Sequence, residues 1–209
     1  MKFFRDKLYE DITIPAPPKD DMVEAKEVKR LIANRTAEQE KSIADHDEVP
    51  FYAIKKYCDD NKMMFHKDEF KDIIYGATDT INYFKDKFDR KRPIEVDKTL
   101  DTSPSKTNKT PSYPSGHAAQ SRIVARYVAG KFPEHEANLI EAGNECGYGR
   151  VLAGFHYPSD YEAGNLLGEK MYKLMNKENY IKEMKTFKTF MESIIDIPRS
   201  TYAPGVFDG

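Results

Sequence analysis

The chain has 209 residues, enough for one domain with a sizeable core and short for two. Its 33 basic and 35 acidic residues nearly cancel, so no overall field points to nucleic acid or to an anionic membrane surface, and any charge-based function is local. A mean hydropathy of −0.73 and the absence of any run of about 18 apolar residues argue against integral membrane association, and MKFFRDK breaks before the apolar stretch of an export signal can form, so a cytoplasmic protein is expected.

Residues 1–19 are expected to form an extended, proline-rich arm, because each proline in IPAPPKDD removes a backbone donor and restricts the residue before it. This arm is expected to lie at the periphery of one all-α domain, a single-domain helical bundle over 20–209. From Asp20, apolar positions at Met22, Val23, Val28, Leu31 and Ile32 have helical spacing behind an acidic start. Thr36 with Gln39 has the pattern of a capping box opening a second helix. VPFYAIKKYCDD and the stretch from His66 to Lys87 continue at helical period, the latter through Phe70, Ile73, Ile74, Ala77, Ile81 and Phe84. After Arg92-Pro93 a segment rich in Ser, Thr, Asn and Pro predicts loop up to the glycine of YPSG. Four further helices are predicted, in HAAQSRIVARYVAGKF, EHEANLIEAGNECGYGRVLAGF, SDYEAGNLLGEKMYKLM and ENYIKEMKTFKTFMESII. No segment alternates as a strand would. The two cysteines, Cys58 and Cys146, lack metal-ligand spacing and are expected as buried thiols.

Three stretches can carry chemistry. In YPSGHAAQ, Ser115 is a favoured helix N-cap, which leaves the amides of Gly116 and His117 pointing outward as an anion site, with a hydroxyl and an imidazole beside them. In KDKFDRKRP, Lys85 and Arg92 suit an oxyanion, although Asp86 and Asp89 interleave and by themselves suggest a salt-bridged helix end. In GYGRVLAGFHYPSDYEAG, Pro158 interrupts the helix that would join His156 to Asp160, so a corner between two helices is expected. There the Asp160 carboxylate can accept a hydrogen bond from His156 Nδ1–H and leave Nε2 free as a nucleophile. A capping aspartate beside a packed histidine fits this stretch equally well. His46, His66 and His135 lie outside these stretches and are expected to be structural, the HDE run at 46–48 being charge at a helix end.

Taken in order, the three stretches resemble the type-2 phosphatidic acid phosphatase (PAP2) and vanadium haloperoxidase superfamily, whose pattern is K-x6-R-P, then P-S-G-H, then S-R-x5-H-x3-D. The matches are Lys85 to Arg92-Pro93, Pro114-Ser115-Gly116-His117, and Arg150 to His156 and Asp160, with Gly149 where the pattern has serine. Within that superfamily the chain is most similar to class A bacterial non-specific acid phosphatases, a likeness that extends over roughly residues 11–175 and includes the IPAPPKDD arm and the RTAEQEKSIADHD helix.

The resemblance implies a metal-independent acid phosphatase acting on small phosphomonoesters, nucleotide or sugar phosphate, with no cofactor. It implies His156 as nucleophile, Asp160 as its orienting partner and His117 as the proton donor to the leaving alkoxide. Lys85, Arg92, Ser115, Gly116 and Arg150 are implied phosphate ligands. It also implies a homo-oligomer. The same pocket can hold vanadate, which keeps a vanadate-dependent haloperoxidase as an alternative; a non-catalytic phosphate- or nucleic-acid-binding helical protein is the third.

Overall fold

The computed structural model describes residues 3–65, 67–175 and Thr189. Among them there is no strand, and eight α-helices follow one another. The first four are α1 (Asp21–Ala33), α2 (Ala37–His46), α3 (Tyr52–Asp60) and α4 (Lys67–Phe88), followed by a single turn, α5 (Pro93–Val96). Then come α6 (Gly116–Lys131), α7 (Glu136–Leu152) and α8 (Pro158–Lys173). The predicted helix in ENYIKEMKTFKTFMESII lies outside the described residues.

The helix starts follow local chemistry. Asp20 accepts the Met22 amide at 3.0 Å to open α1. Thr36 and Gln39 exchange side-chain to backbone bonds of 3.2 and 2.9 Å at the start of α2, each end satisfying a donor that the helix leaves open. In α1 the buried positions are Ala25 and Val28, whereas Met22 and Val23 face out. That stripe is one turn shorter than the apolar spacing suggests, because the acidic first turn is used for ion pairs described below.

Helix α6 is the axis of the bundle and packs against α7, α8 and α4. Residues on all its sides are buried, among them Ala118, Ile123, Val124, Tyr127 and Val128, which is why its apolar residues form no single stripe. Small residues set how closely α8 approaches. A Cβ on Gly164 would stand 2.5 Å from the Ser115 carbonyl oxygen, so only glycine lets the first turns of α8 rest on the N-terminus of α6. The Ser115 amide then donates to the Asp160 carbonyl at 2.9 Å, tying the two helix starts together.

The N-terminal segment departs from the expectation of a peripheral arm. Residues 12–18 carry no regular secondary structure, with extended backbone at Ile12, but Leu8–Asp11 form a 3-10 turn. Phe3, Phe4, Leu8, Ile12 and Ile14 join the main core with Phe70, Ile73 and Phe84 of α4. Burying a large apolar side chain stabilises by about 1.5–3 kcal/mol, so this segment is a structural part of the domain. The tie to Tyr113, whose hydroxyl donates to the Pro15 carbonyl at 2.6 Å, runs straight to the loop before α6. Cys58 and Cys146 are free and buried, and burial pushes both thiols up to about 12.

Candidate active site

The corner between α7 and α8 places the histidine. Helix α7 ends at Leu152, and Gly154 takes φ 81, a left-handed turn that L side chains resist. A Cβ there would also strike Thr102 and Ile32 at 2.8 and 2.9 Å. Pro158 then opens α8 as its first residue, where a missing amide is harmless. His156, 2% exposed, puts Nδ1 3.2 Å from Asp160 Oδ2. The same carboxylate oxygen accepts the Tyr157 amide at 2.9 Å and the Ser112 hydroxyl. Asp160 is thus both helix cap and histidine partner, the two alternatives that the spacing alone left open. A carboxylate only accepts, so the neutral imidazole carries its proton on Nδ1 and keeps the Nε2 lone pair free.

Three cations from three elements stand around this imidazole, and all line one cavity of about 690 Å³ with His117 and His156. Lys85, in the last turn of α4, is buried rather than part of a solvated ion cluster, and its ammonium donates to the Pro111 carbonyl at 2.5 Å. Arg92 is pinned by the Thr110 carbonyl at 2.8 Å and the Phe155 carbonyl at 2.9 Å. Arg150, in the last turn of α7, lies over the Phe155 ring at 4.4 Å. Its Nη1 donates to Asp47 at 2.6 Å and its Nη2 to Thr107 at 2.9 Å. Its Nε is buried with no partner among the described residues, an unsatisfied donor.

The start of α6 forms the facing wall. Ser115 is fully buried as the N-cap, its oxygen 3.4 Å from the Ala118 amide, while Gly116 and His117 reach the cavity itself. His117 Nε2 donates to the Asp47 carbonyl oxygen at 2.9 Å, which turns Nδ1 into the side available for proton exchange. Burial, then Arg150, bring His117 down to about 3. Burial, then Arg92 and Lys85, hold His156 well below its ordinary value. Burial and Arg92 bring Lys85 down to about 7 and leave Arg92, facing Arg150, at about 10. All these shifts are downward because burial penalises each charged form, and the neighbouring cations add to it.

Two residues outside the motif pattern complete the frame. Asp47, between α2 and α3, takes bonds from Arg150, Ser105, Thr107 and the Lys106 amide. Burial would raise its carboxyl, but these donors hold it well below the usual carboxylate range. Arg90 is 5% exposed and donates to Asp160 Oδ1 at 2.6 Å, to Asp21 at 2.9 Å and to Glu24 at 2.7 Å, with its guanidinium 3.9 Å from the centre of the Tyr157 ring. Burial pushes the Asp160 carboxyl up, and Arg90 opposes that shift. The HDE run contained Asp47 and the RKRP run contained Arg90, but neither spacing named a partner. Gly149, by contrast, is absent from the anion cavity. Its side faces Ile43 of α2, 3.7 Å from where a Cβ would stand, and borders a separate cleft.

The remaining histidines are structural where described. His46 gives its Nδ1 proton to the Ser42 carbonyl at 2.8 Å and accepts the Ala53 amide on Nε2 at 3.1 Å, so it is held neutral beside Asp47. His135 bonds the Tyr57 hydroxyl at 2.8 Å. His66 lies outside the described residues. Among the described residues no cluster of acidic, histidine or cysteine side chains is arranged to hold a metal, and no helix is long and apolar enough to cross a membrane.

Known proteins are similar to parts of this chain. An acid phosphatase of Zymomonas mobilis is 35% identical over 92 residues, 43% of this chain and 35% of that protein. Non-specific acid phosphatases of Salmonella typhi and Providencia stuartii are 42% identical over 57 residues and 36% over 62. These stretches take in 27% and 30% of this chain, and 23% and 25% of the relatives. The matched stretches therefore span about a third or less of the relatives' own lengths. Residues 73–177, half of the chain and the segment that holds Lys85, Arg92, His117, Arg150, His156 and Asp160, match the PAP2 superfamily, and the chain belongs to that family.

Proposed function

We propose that the protein is a metal-independent acid phosphatase that hydrolyses small phosphomonoesters through a phosphohistidine at His156. One observation carries this: a neutral imidazole, its Nδ1 held by a buried carboxylate, faces a cavity walled by Lys85, Arg92 and Arg150 and by the amides that open α6. His156 Nε2 attacks phosphorus, the bond from phosphorus to the ester oxygen breaks, and His117 gives a proton to the departing alkoxide. A water molecule then gives its proton to His117 and its oxygen to phosphorus, and the phosphorus–nitrogen bond breaks. Asp160 keeps the imidazole oriented and offsets the charge it gains. The three cations and the α6 amides stabilise the equatorial oxygens.

In the ligand-free pocket burial, and after it Arg150, keeps His117 neutral. A phosphate dianion reverses the local sign and lifts the imidazole towards the range in which it can serve as an acid. The proposal is tested with p-nitrophenyl phosphate at acidic pH in excess chelator, where turnover is expected in the parent and none in His156→Ala. Full activity in that variant, or no turnover in the parent, would sink the assignment. Vanadate is expected to compete with substrate for the same cradle.

A further inference from the structure

The cavity continues beyond the cradle. Its volume of about 690 Å³ falls within the roughly 300–1,000 Å³ that encloses a drug-sized ligand, far more room than a phosphoryl group fills. Away from the cations the wall includes Val49, Phe51 and Tyr52 on one side and Ile74, Tyr75 and Ile81 of α4 on the other. Positions 74, 78, 81 and 85 fall on one face of α4, so the stripe that ends in the Lys85 ammonium begins in hydrocarbon. Tyr75 is 73% exposed at this limb, and its ring has no aromatic partner among the described residues. The charges that border the limb are paired with their own neighbours: Lys55 with Asp59, Lys71 with Asp68 at 3.5 Å, and Glu48 with Lys106. Nothing there asks for a second charge on the ligand.

We propose that this limb is a leaving-group pocket that selects phosphomonoesters of flat, uncharged aromatic alcohols over those of sugars. The inference rests on the phosphomonoesterase assignment above, because the cradle fixes which end of the ligand is the phosphate. An aromatic group lies against Ile74 and Ile81 and meets the rings of Tyr52 and Tyr75. A sugar in the same place turns part of its hydroxyl surface towards carbon, where Thr78, Asn82 and Gln120 are too few to pair every hydroxyl.

The test compares kcat/KM for 2-phenylethyl phosphate, ethyl phosphate and glucose 6-phosphate. All three are esters of primary alcohols, so differences in intrinsic bond cleavage are small and the ratio reads the pocket. The phenylethyl ester is expected to exceed both others by about tenfold or more, and the ratio to contract to about threefold or less in Tyr75→Ala and Ile74→Asp. A parent ratio near one, or a ratio unmoved by both variants, overturns the inference and leaves the phosphatase assignment standing. No turnover of any ester overturns that assignment instead. The pocket is then read by calorimetry with 2-phenylethylphosphonate and ethylphosphonate: tighter binding of the aromatic ligand supports it, and equal binding overturns it.

Discussion

Replacing Lys85 by methionine should make the empty protein more stable while it abolishes activity. Lys85 is 4% exposed, and burial, then Arg92, bring its ammonium from 10.5 to about 7. That displacement corresponds to roughly 5 kcal/mol held against the charged form. The unfolded chain keeps this proton up to about pH 10.5 and the folded protein releases it near 7, so the unfolded state binds the extra proton between the two and stability rises with pH across that window. Below pH 7 the penalty is present in full. Methionine keeps the apolar stem and removes the charge, but it strands the Pro111 carbonyl that now accepts at 2.5 Å, an offset of about 1–3 kcal/mol.

The net expectation near pH 6 is a variant ~2–4 kcal/mol more stable than the parent in urea unfolding, with the gain shrinking towards zero near pH 9. Saturating phosphate should reverse the order, because a dianion balances the cations and binds the parent alone. A Lys85→Met variant less stable than the parent near pH 6, without phosphate, would refute the reasoning. It would mean that the ammonium is already compensated in the empty pocket.

Asp47→Asn leaves the Arg150 guanidinium buried without its counter-charge, so unfolding should be easier by about 3–5 kcal/mol and kcat/KM on p-nitrophenyl phosphate lower by roughly a hundredfold; activity within a few-fold of the parent would show that Asp47 does not position Arg150. Arg90→Met takes away the cation that opposes the burial of Asp160, so the acidic limb of the kcat/KM profile should move to higher pH, and superposable profiles would count against that role. Gly164→Ala places a methyl group 2.5 Å from the Ser115 carbonyl and should destabilise by at least about 1–3 kcal/mol in thermal or urea unfolding. Gly149→Ser meets only Ile43 at 3.7 Å, outside the anion cavity, and should stay within about 0.5 kcal/mol of the parent with activity unchanged.

Helix positions were legible because periodicity and caps are local: Thr36 and Gln39 announce α2, and Pro158 announces α8. The residues that gather at the cavity were legible because each sits where a helix begins or ends, and such places have recognisable side chains. What escaped were partners distant along the chain. Lys85 beside Asp86 and Asp89 suggests a solvated ion cluster, yet the last turn of α4 points it inward, and burial is a property of the packed bundle. Gly149 holds a motif position one residue before Arg150, yet successive helical residues lie about 100° apart, so Arg150 reaches the cradle while Gly149 faces α2. The arm at 1–19 shows prolines in sequence, but only the fold shows that its phenylalanines and isoleucines fill the core.

The segment that matches the family, 73–177, holds the motif residues but lacks part of the frame that makes them work. Arg150 is oriented by Asp47, His117 by the Asp47 carbonyl, and Asp160 by an Arg90 that also donates to Asp21, Glu24 and Ser159. All three acidic partners lie before residue 73, in α1 and in the α2–α3 loop. Asp47 itself borders the cavity beside Arg150, while Asp21 and Glu24 stand against Arg90, which is not among the lining residues, so two of the three carboxylates lie away from the cavity. The buried apolar residues of the N-terminal segment and the Tyr113–Pro15 bond brace the same side, so the part of the chain with the least motif content supplies much of the support on which the catalytic geometry depends.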